Sequence, residues 1–584
     1  MRDRGSKIAL AALLLALAAG CAKQELDPRV SSMPPVSAAV APPAISGGTL
    51  LVVADGAIAV VADPDRDRLV RVDLVARRVL DETALPEGSQ PGRLVEDRSG
   101  RVHVVLRGRG EVFTFWLGSP AAGERRAACP MPRGIAHDPD RDVVLVACRG
   151  GELVALPASG GPAISSTPIA PDLRDVIVME GRVFVTRFRS AELGELTTDG
   201  PPVWRAPEPI TLPQGESLVT FEPAVAWRAI AIPERRAIAM VHQRARASSI
   251  EGGYGAPASD ASCRSGAVHA SITMFSLDGE QTGGAVLRTA TLPVDLASHG
   301  GDLAIVAAGN QSGARAVFTV SQPDTSLDPQ LRDGCALAAP HDASVPIAIA
   351  FDGSGERVVL ERDPAALLHR GERIALGGRS VFDTGHAIFH GNAGEHVACA
   401  SCHPEGTEDG RVWLFDGVAR RTQSLLPDLT STAPFHWSGD QRDLGALMGD
   451  VFTRRMGGPT LGPEQITMLG RWMDRLPAPR ASDRDADAVA RGRALFEDAA
   501  RCAECHSGPM LTNGQTTDVG TGGAFQVPSL IGVSHRLPLM HDGCAASLSA
   551  RFLDPACGGG ESHGRTAALD AMALADLVTY LETL

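Results

Sequence analysis

Tyrosine is nearly absent: Tyr254 and Tyr580 are the two in 584 residues, and all aromatics together make up 4%. Lysine is also scarce, so the basic side chains are nearly all arginine. Acidic residues outnumber them and leave a net charge of −14. A chain with that balance and no cationic stretch is not suited to nucleic acid. Long apolar runs are missing too. The run over residues 8–19 falls short of the roughly 20 residues that a membrane-spanning helix needs. What remains is globular in composition, with 44% hydrophobic and 21% charged residues. It is too long for one ordinary core, so two or three domains are expected.

The short apolar run has a different use. Arg2, Arg4 and Lys7 precede it, which gives the layout of an export signal. It ends in Leu17-Ala18-Ala19-Gly20-Cys21, which resembles the bacterial lipoprotein processing box with Leu one residue early. Residues 1–21 then read as a lipoprotein signal peptide and Cys21 as a lipidated membrane anchor. No aspartate follows Cys21, so a lipid-anchored periplasmic protein is expected, at the outer membrane or cell surface. An ordinary signal peptide cleaved near Ala19 is the alternative.

Two stretches near the C-terminal end carry chemistry: Cys399-Ala400-Ser401-Cys402-His403 and Cys502-Ala503-Glu504-Cys505-His506. Each is a C-x-x-C-H, the attachment signature of a c-type haem. Cys399, Cys402, Cys502 and Cys505 would bind two porphyrins covalently, with His403 and His506 as proximal iron ligands. Zinc half-sites would need further Cys/His spacings that are missing, and a redox dithiol does not require the trailing histidine. Two covalent haem c groups are therefore expected. Of the 11 cysteines, the lipid site and the haem sites leave three neighbouring pairs: Cys129 with Cys148, Cys263 with Cys335, and Cys544 with Cys557. Disulfides suit an oxidising compartment.

Texture divides the chain. Residues 22–47, with paired prolines among Ser and Ala, read as a flexible tether. Residues 48–360 are short Val/Leu/Ile runs between Gly, Asp and Pro turns, and they repeat. Pro91-Gly92-Arg93-Leu94-Val95 recurs about 41 residues later as Pro132-Arg133-Gly134-Ile135-Ala136, and a third copy starts at Pro171. Such a period with about four strands per unit predicts an all-β propeller of about seven blades. An extended array of β-sandwiches is the alternative. Beyond Pro364 helical patterns are expected, for example at Ala365-Ala366-Leu367-Leu368 and over residues 569–584.

That second part reads as a duplicated unit. Residues 365–480 and 485–584 are expected to be two mainly α-helical domains of cytochrome c type. Gly378-Arg379-Ser380-Val381-Phe382 is matched to Gly492-Arg493-Ala494-Leu495-Phe496, with a longer insert after the first. Downstream, Pro434-Phe435-His436-Trp437 aligns with Pro538-Leu539-Met540-His541. Met456 and His563 occupy corresponding places before the last helix of each unit. They are the distal ligand candidates, His403/Met456 for the first haem and His506/His563 for the second. His436, Met540, Met448, His390 and His396 are the rivals.

The tandem resembles the bacterial di-haem cytochrome c peroxidase family over about residues 378–584. The resemblance implies electron transfer between two haems, a small cytochrome or cupredoxin as redox partner, one calcium ion, and Trp437 as an electron relay. Two departures bear on peroxide. Arg454 and Arg455 stand before Met456, where the family's peroxidases place a glutamate, and a guanidinium cannot take up a proton. Residues 404–419 also lack the removable distal histidine. Electron transfer is thus the expected function, with peroxide reduction open. The alternative is a propeller that binds an unknown partner or surface polymer while the haems wire or sense the complex.

Overall fold

A strand whose residues are nearly all apolar needs cover on both faces. Arg101–Leu106 and Val143–Cys148 are such strands, buried along almost their whole length. They find that cover by stacking sheets around a ring. The computed structural model describes residues 26–197, 200–214, 217–251, 266–287, 289–311, 316–321, 338–339, 345–394, 396–479 and 484–584. Seven antiparallel sheets, each from consecutive strands, span residues 50–84, 91–127, 132–168, 173–205, 210–287, 293–339 and 346–375. The fifth has five strands and the others four, and inner strands of successive sheets touch around the ring. The fold is a seven-bladed β-propeller, as the repeat predicted.

The repeat has a local cause. The carboxylate of Asp97 accepts from the backbone N–H groups of Ser99 and Arg101. Asp138 does the same for Asp140 and Arg141, and Asp352 for Ser354 and Glu356. Each aspartate closes the first hairpin turn of its blade, a task suited to a short acceptor side chain. Between blades, apolar faces interlock. Val60, Leu69, Val102, Val104 and Phe113 form one such layer, each at most 5% exposed. Burying a side chain of this kind contributes about 2 kcal/mol.

Two boundaries differ from expectation. The seventh blade runs to Ala375, because the segment expected as helical at residues 365–368 is the strand Ala366–His369, paired with Glu372–Ala375. Four apolar residues cannot distinguish a helix turn from a short buried strand. Of the expected tether, residues 26–47 are packed as a strap rather than left free. Pro28–Ser32 is a short helix, and Leu26, Val30 and Ile45 are buried. The strap is pinned by Val36 N–H to Thr384 Oγ1, Trp472 Nε1–H to the Pro42 carbonyl, and Gln465 Nε2–H to the Val30 carbonyl. Cys21 and the signal segment lie outside the described residues.

The second part is not mainly helical: short helices are joined by longer loops. Four helices frame it: α1 (Thr384–His390), α2 (Pro463–Asp474), α3 (Ala486–Ala494) and α4 (Ala571–Leu581). Helix α1 packs on α2, and α3 on α4. Both crossings are made by a glycine. A Cβ on Gly385 would lie 2.3 Å from the Met468 carbonyl oxygen, and one on Gly492 would lie 2.0 Å from that of Asp576. This corrects the alignment of the two units. The counterpart of Gly492-Arg493-Ala494-Leu495-Phe496 is Gly385-His386-Ala387-Ile388-Phe389, not the stretch from Gly378. Gly378 instead meets the side chains of Arg66 and Arg68 on the propeller. No helix among the described residues is long and apolar enough to cross a membrane.

Candidate functional site

Both C-x-x-C-H motifs follow the first helix of their frame and fold alike. Cys399–Cys402 and Cys502–Glu504 are single helical turns, so residues three apart share a side. The amide of His403 donates to the Cys399 carbonyl at 2.9 Å, and that of His506 to Cys502 at 2.9 Å. The four motif thiols are free, whereas Cys129–Cys148 and Cys544–Cys557 are disulfides. Cys263 and Cys335 lie outside the described residues. Burial pushes Cys399 up to about 12 and Cys402 well above the ordinary thiol range. A dithiol that exchanges disulfides needs a stabilised thiolate, so the first motif is unsuited to that role.

Three histidines are held through Nδ1 by backbone carbonyls. His403 Nδ1 lies 3.0 Å from the Thr407 carbonyl oxygen, His506 Nδ1 3.2 Å from that of Leu511, and His563 Nδ1 3.0 Å from that of Gly558. Metal-binding histidines are commonly oriented this way, the donor fixing the tautomer and freeing Nε2. Burial drives His506 down to about 4; burial, Arg551 and His506 drive His563 down to about 3. Both rings are therefore neutral at pH 7. Their centroids are 6.3 Å apart. An ion about 2 Å from each Nε2, with about 1.2 Å more to each ring centre, gives roughly 6.4 Å.

One cavity of about 800 Å³ joins the two motifs. Cys399, Cys402 and His403 line one end, Cys502, Cys505, His506 and His563 the other. Met456, 5% exposed, faces the cavity in the first unit. Met456 and His563 are each followed by a glycine that meets the chain near a motif. The next residue, Gly457, abuts Gly394 ahead of the first motif, and Gly564 abuts Ala500 and Cys502 at the second. Met448, His436 and Met540 also reach the cavity. His390 does not. Its Nδ1 bonds the His386 carbonyl and its Nε2 accepts from the Ile45 amide. His396 is not among the lining residues.

Trp437 lines the same cavity. Its Nε1–H donates to the Arg421 carbonyl at 2.7 Å, and its ring lies 6.3 Å from His541, which stacks on Phe525 at 3.9 Å. From the sequence His541 entered only as the residue aligned with Trp437, and Phe525, a lone aromatic, carried no motif. Arg455 lines the cavity and pairs with Asp450 at 2.9 Å, and Arg454 pairs with the same carboxylate. The nearest acid–base pair on the wall is His436 with Asp440 at 3.1 Å. Asp440 lies four residues past His436, a spacing with no recognisable signature.

The propeller grips the first motif. Gln243 Nε2–H donates to the Ser401 carbonyl at 2.8 Å, and Gln243 Oε1 accepts from Trp227. Glu405, two residues after His403, is buried among Arg107, Arg133 and Arg174 of three successive blades, at 3.0, 3.1 and 2.5 Å. Burial raises its pKa, but the charges of Arg107, Arg174 and Arg133 prevail and hold it well below the carboxylate range. Among the described residues no cluster of three or more His, Cys, Asp or Glu is arranged to hold a metal ion, so no residues are assigned to the calcium expected from the resemblance.

No family model matches this chain, and no curated protein matches it. Several solved structures are similar. Hydrazine synthase from Kuenenia stuttgartiensis is 14% identical, covering 57% of this chain and 97% of its own, with a TM-score of 0.44. A second hydrazine synthase structure from that organism, pressurised with xenon, is 24% identical over 32% of this chain and 81% of its own, with a TM-score of 0.30. Virginiamycin B lyase from Staphylococcus aureus is 14% identical, covering 54% of this chain and 92% of its own, with a TM-score of 0.39. At these identities and scores none of them transfers an activity to this chain.

Proposed function

We propose that this chain is an exported di-haem c-type electron-transfer protein, its two haem sites docked on a β-propeller. The observation that carries the reading is the facing pair His506 and His563. Their rings lie 6.3 Å apart, both Nδ1 atoms are spent on backbone carbonyls, and the free thiols of Cys502 and Cys505 line the same cavity. The residues fit haem c at both ends. Cys399, Cys402, His403 and Met456 would hold the first group, and Cys502, Cys505, His506 and His563 the second. Bound haem supplies a one-electron iron couple, and a Met/His pair favours a higher potential than two histidines.

The chain's own groups do the rest. The Thr407, Leu511 and Gly558 carbonyls hold their imidazoles as neutral Nε2 donors. Trp437, in the cavity wall, is the relay candidate. Arg455 in place of an acid leaves peroxide reduction without a proton acceptor at that position. A small cytochrome or cupredoxin is the proposed redox partner, and a lipid on Cys21 the proposed anchor at the outer membrane or cell surface. Mass spectrometry and alkaline pyridine spectra of protein made with a c-type haem maturation system test this. Two haems per chain are expected, one in a Cys399→Ala, Cys402→Ala variant, and a methionine-to-iron band that disappears in Met456→Ala. A wild-type mass without haem would overturn the reading.

A further inference from the structure

The two motifs share a backbone path and differ in the residues that come next. After His506 come Ser507 and Gly508; after His403 come Pro404 and Glu405. Glu405 adopts a left-handed backbone, with φ of 54°, that directs its side chain into the propeller. There it is 2% exposed and meets Arg107, Arg133 and Arg174, while Ser46 of the strap donates to it at 2.5 Å. Arg133 and Arg174 are themselves 1% exposed. Arg133 is fixed further by Asp172 at 2.7 Å, and Arg174 by the Ser46 and Trp227 carbonyls. These two arginines thus have partners besides Glu405.

Inside the socket sits a compact turn. The Thr407 amide and hydroxyl both bond the Pro404 carbonyl, at 3.0 and 2.8 Å. The Thr407 carbonyl in turn faces His403 Nδ1. Glu405 therefore fixes the peptide that orients the His403 ring, and Gln243 fixes Ser401 on the other side of it. The second motif has no such hold; its acid, Glu504, forms an exposed pair with Arg501 of the same loop.

We infer that the arginine socket of blades two to four is a clamp for the first haem-attachment loop, with Glu405 as a positioning residue for His403. This rests on the di-haem reading. The propeller then acts on one centre and not the other. Weakening the Nδ1 hydrogen bond lowers the basicity of an iron-bound imidazole, and losing a buried negative charge nearby disfavours the oxidised ion. Both effects raise the potential of the first centre.

The test uses the full chain with its haems, comparing wild type with Glu405→Gln and, from the propeller side, Arg133→Met. Redox titration is expected to show the first centre shifted upward in Glu405→Gln, where the lost charge and the weakened hydrogen bond act together, with the second unmoved. In Arg133→Met the lost cation opposes the hydrogen-bond effect, so the upward shift there is smaller or reversed and exchange is the deciding readout. Hydrogen exchange is expected to rise several-fold over residues 399–409 and not over 502–511. Glu405→Asp should restore part of both readouts. Equal shifts at both centres, or unchanged potentials and exchange, would overturn the clamp. The exchange measurement decides the matter even in protein without haem, whereas the haem count of the wild type bears on the di-haem reading alone.

Discussion

Two pairs of histidines face each other in this molecule, and their nitrogens are spent differently. His386 and His390 lie 4.0 Å apart, and both nitrogens of His390 are used on the backbone. His506 and His563 each place Nδ1 against a backbone carbonyl. The first pair ties the strap down; the second lines the cavity. Aligning the motifs is what singled out Met456 and His563 in the sequence as the proposed distal ligands. Excluding His390 was not possible there, since nothing local to residues 386–390 reveals that residues 43 and 45 return to meet them. Glu405 was equally silent: an acid after a C-x-x-C-H carries no pattern, and its partners lie more than 200 residues earlier. His563→Met should keep both haems and raise the potential of the second centre toward the first. Redox titration with paramagnetic resonance checks this, and the low-spin signal of two imidazoles should be lost.

Helix crossings set the frame that holds each motif. At Gly492 the obstacle is the Asp576 carbonyl, and at Gly385 that of Met468. Backbone cannot rotate aside as a side chain can. Gly492→Val should therefore reach or exceed the upper end of the usual overpacking cost, about 3 kcal/mol, read as a lower urea midpoint. It should loosen the second site while leaving the first intact. The glycine registers explain where sequence matching failed. Gly-x-x-x-Phe occurs twice before the first motif, starting at Gly378 and at Gly385, and only the packing partner distinguishes them. The propeller was more readable, because the Asp turn and the Val/Ile/Leu run recur together. Its last blade was less so, since Ala366–His369 is four residues long and carries no alternation.

At the scale of the whole molecule, burial of neutral histidines couples stability to acidity. Burial depresses His103 to about 4, and His242 and His390 to about 3. Unfolded, each binds its proton near pH 6.5. Between that value and the folded one the unfolded state holds more protons, so stability falls as pH falls. Urea unfolding at pH 5 against pH 7 should show a loss of about 2 kcal/mol for each of the three. Substituting His242 by Gln should remove one share of that dependence. The ring itself closes without a shared strand. Its first and last blades meet where a Cβ on Gly56 would lie 1.9 Å from the Gly353 amide nitrogen. Ion pairs join the two blades as well, Arg362 with Asp65 at 2.9 Å and Arg66 with Asp363 at 3.1 Å. The strap is a further tie, and its contacts run from residues 36–45 to residues 383–390, with the Pro42 carbonyl on Trp472, 430 positions further along. A chain made from its N-terminus thus completes its first segment early and seats it late. Until α1 and α2 have formed, the strap lacks its partners Thr384, His390 and Trp472. The end of the protein that is synthesised first becomes a record of whether the part synthesised last has been assembled. A protease sampling residues 28–45 during biogenesis would cut unfinished molecules and spare finished ones.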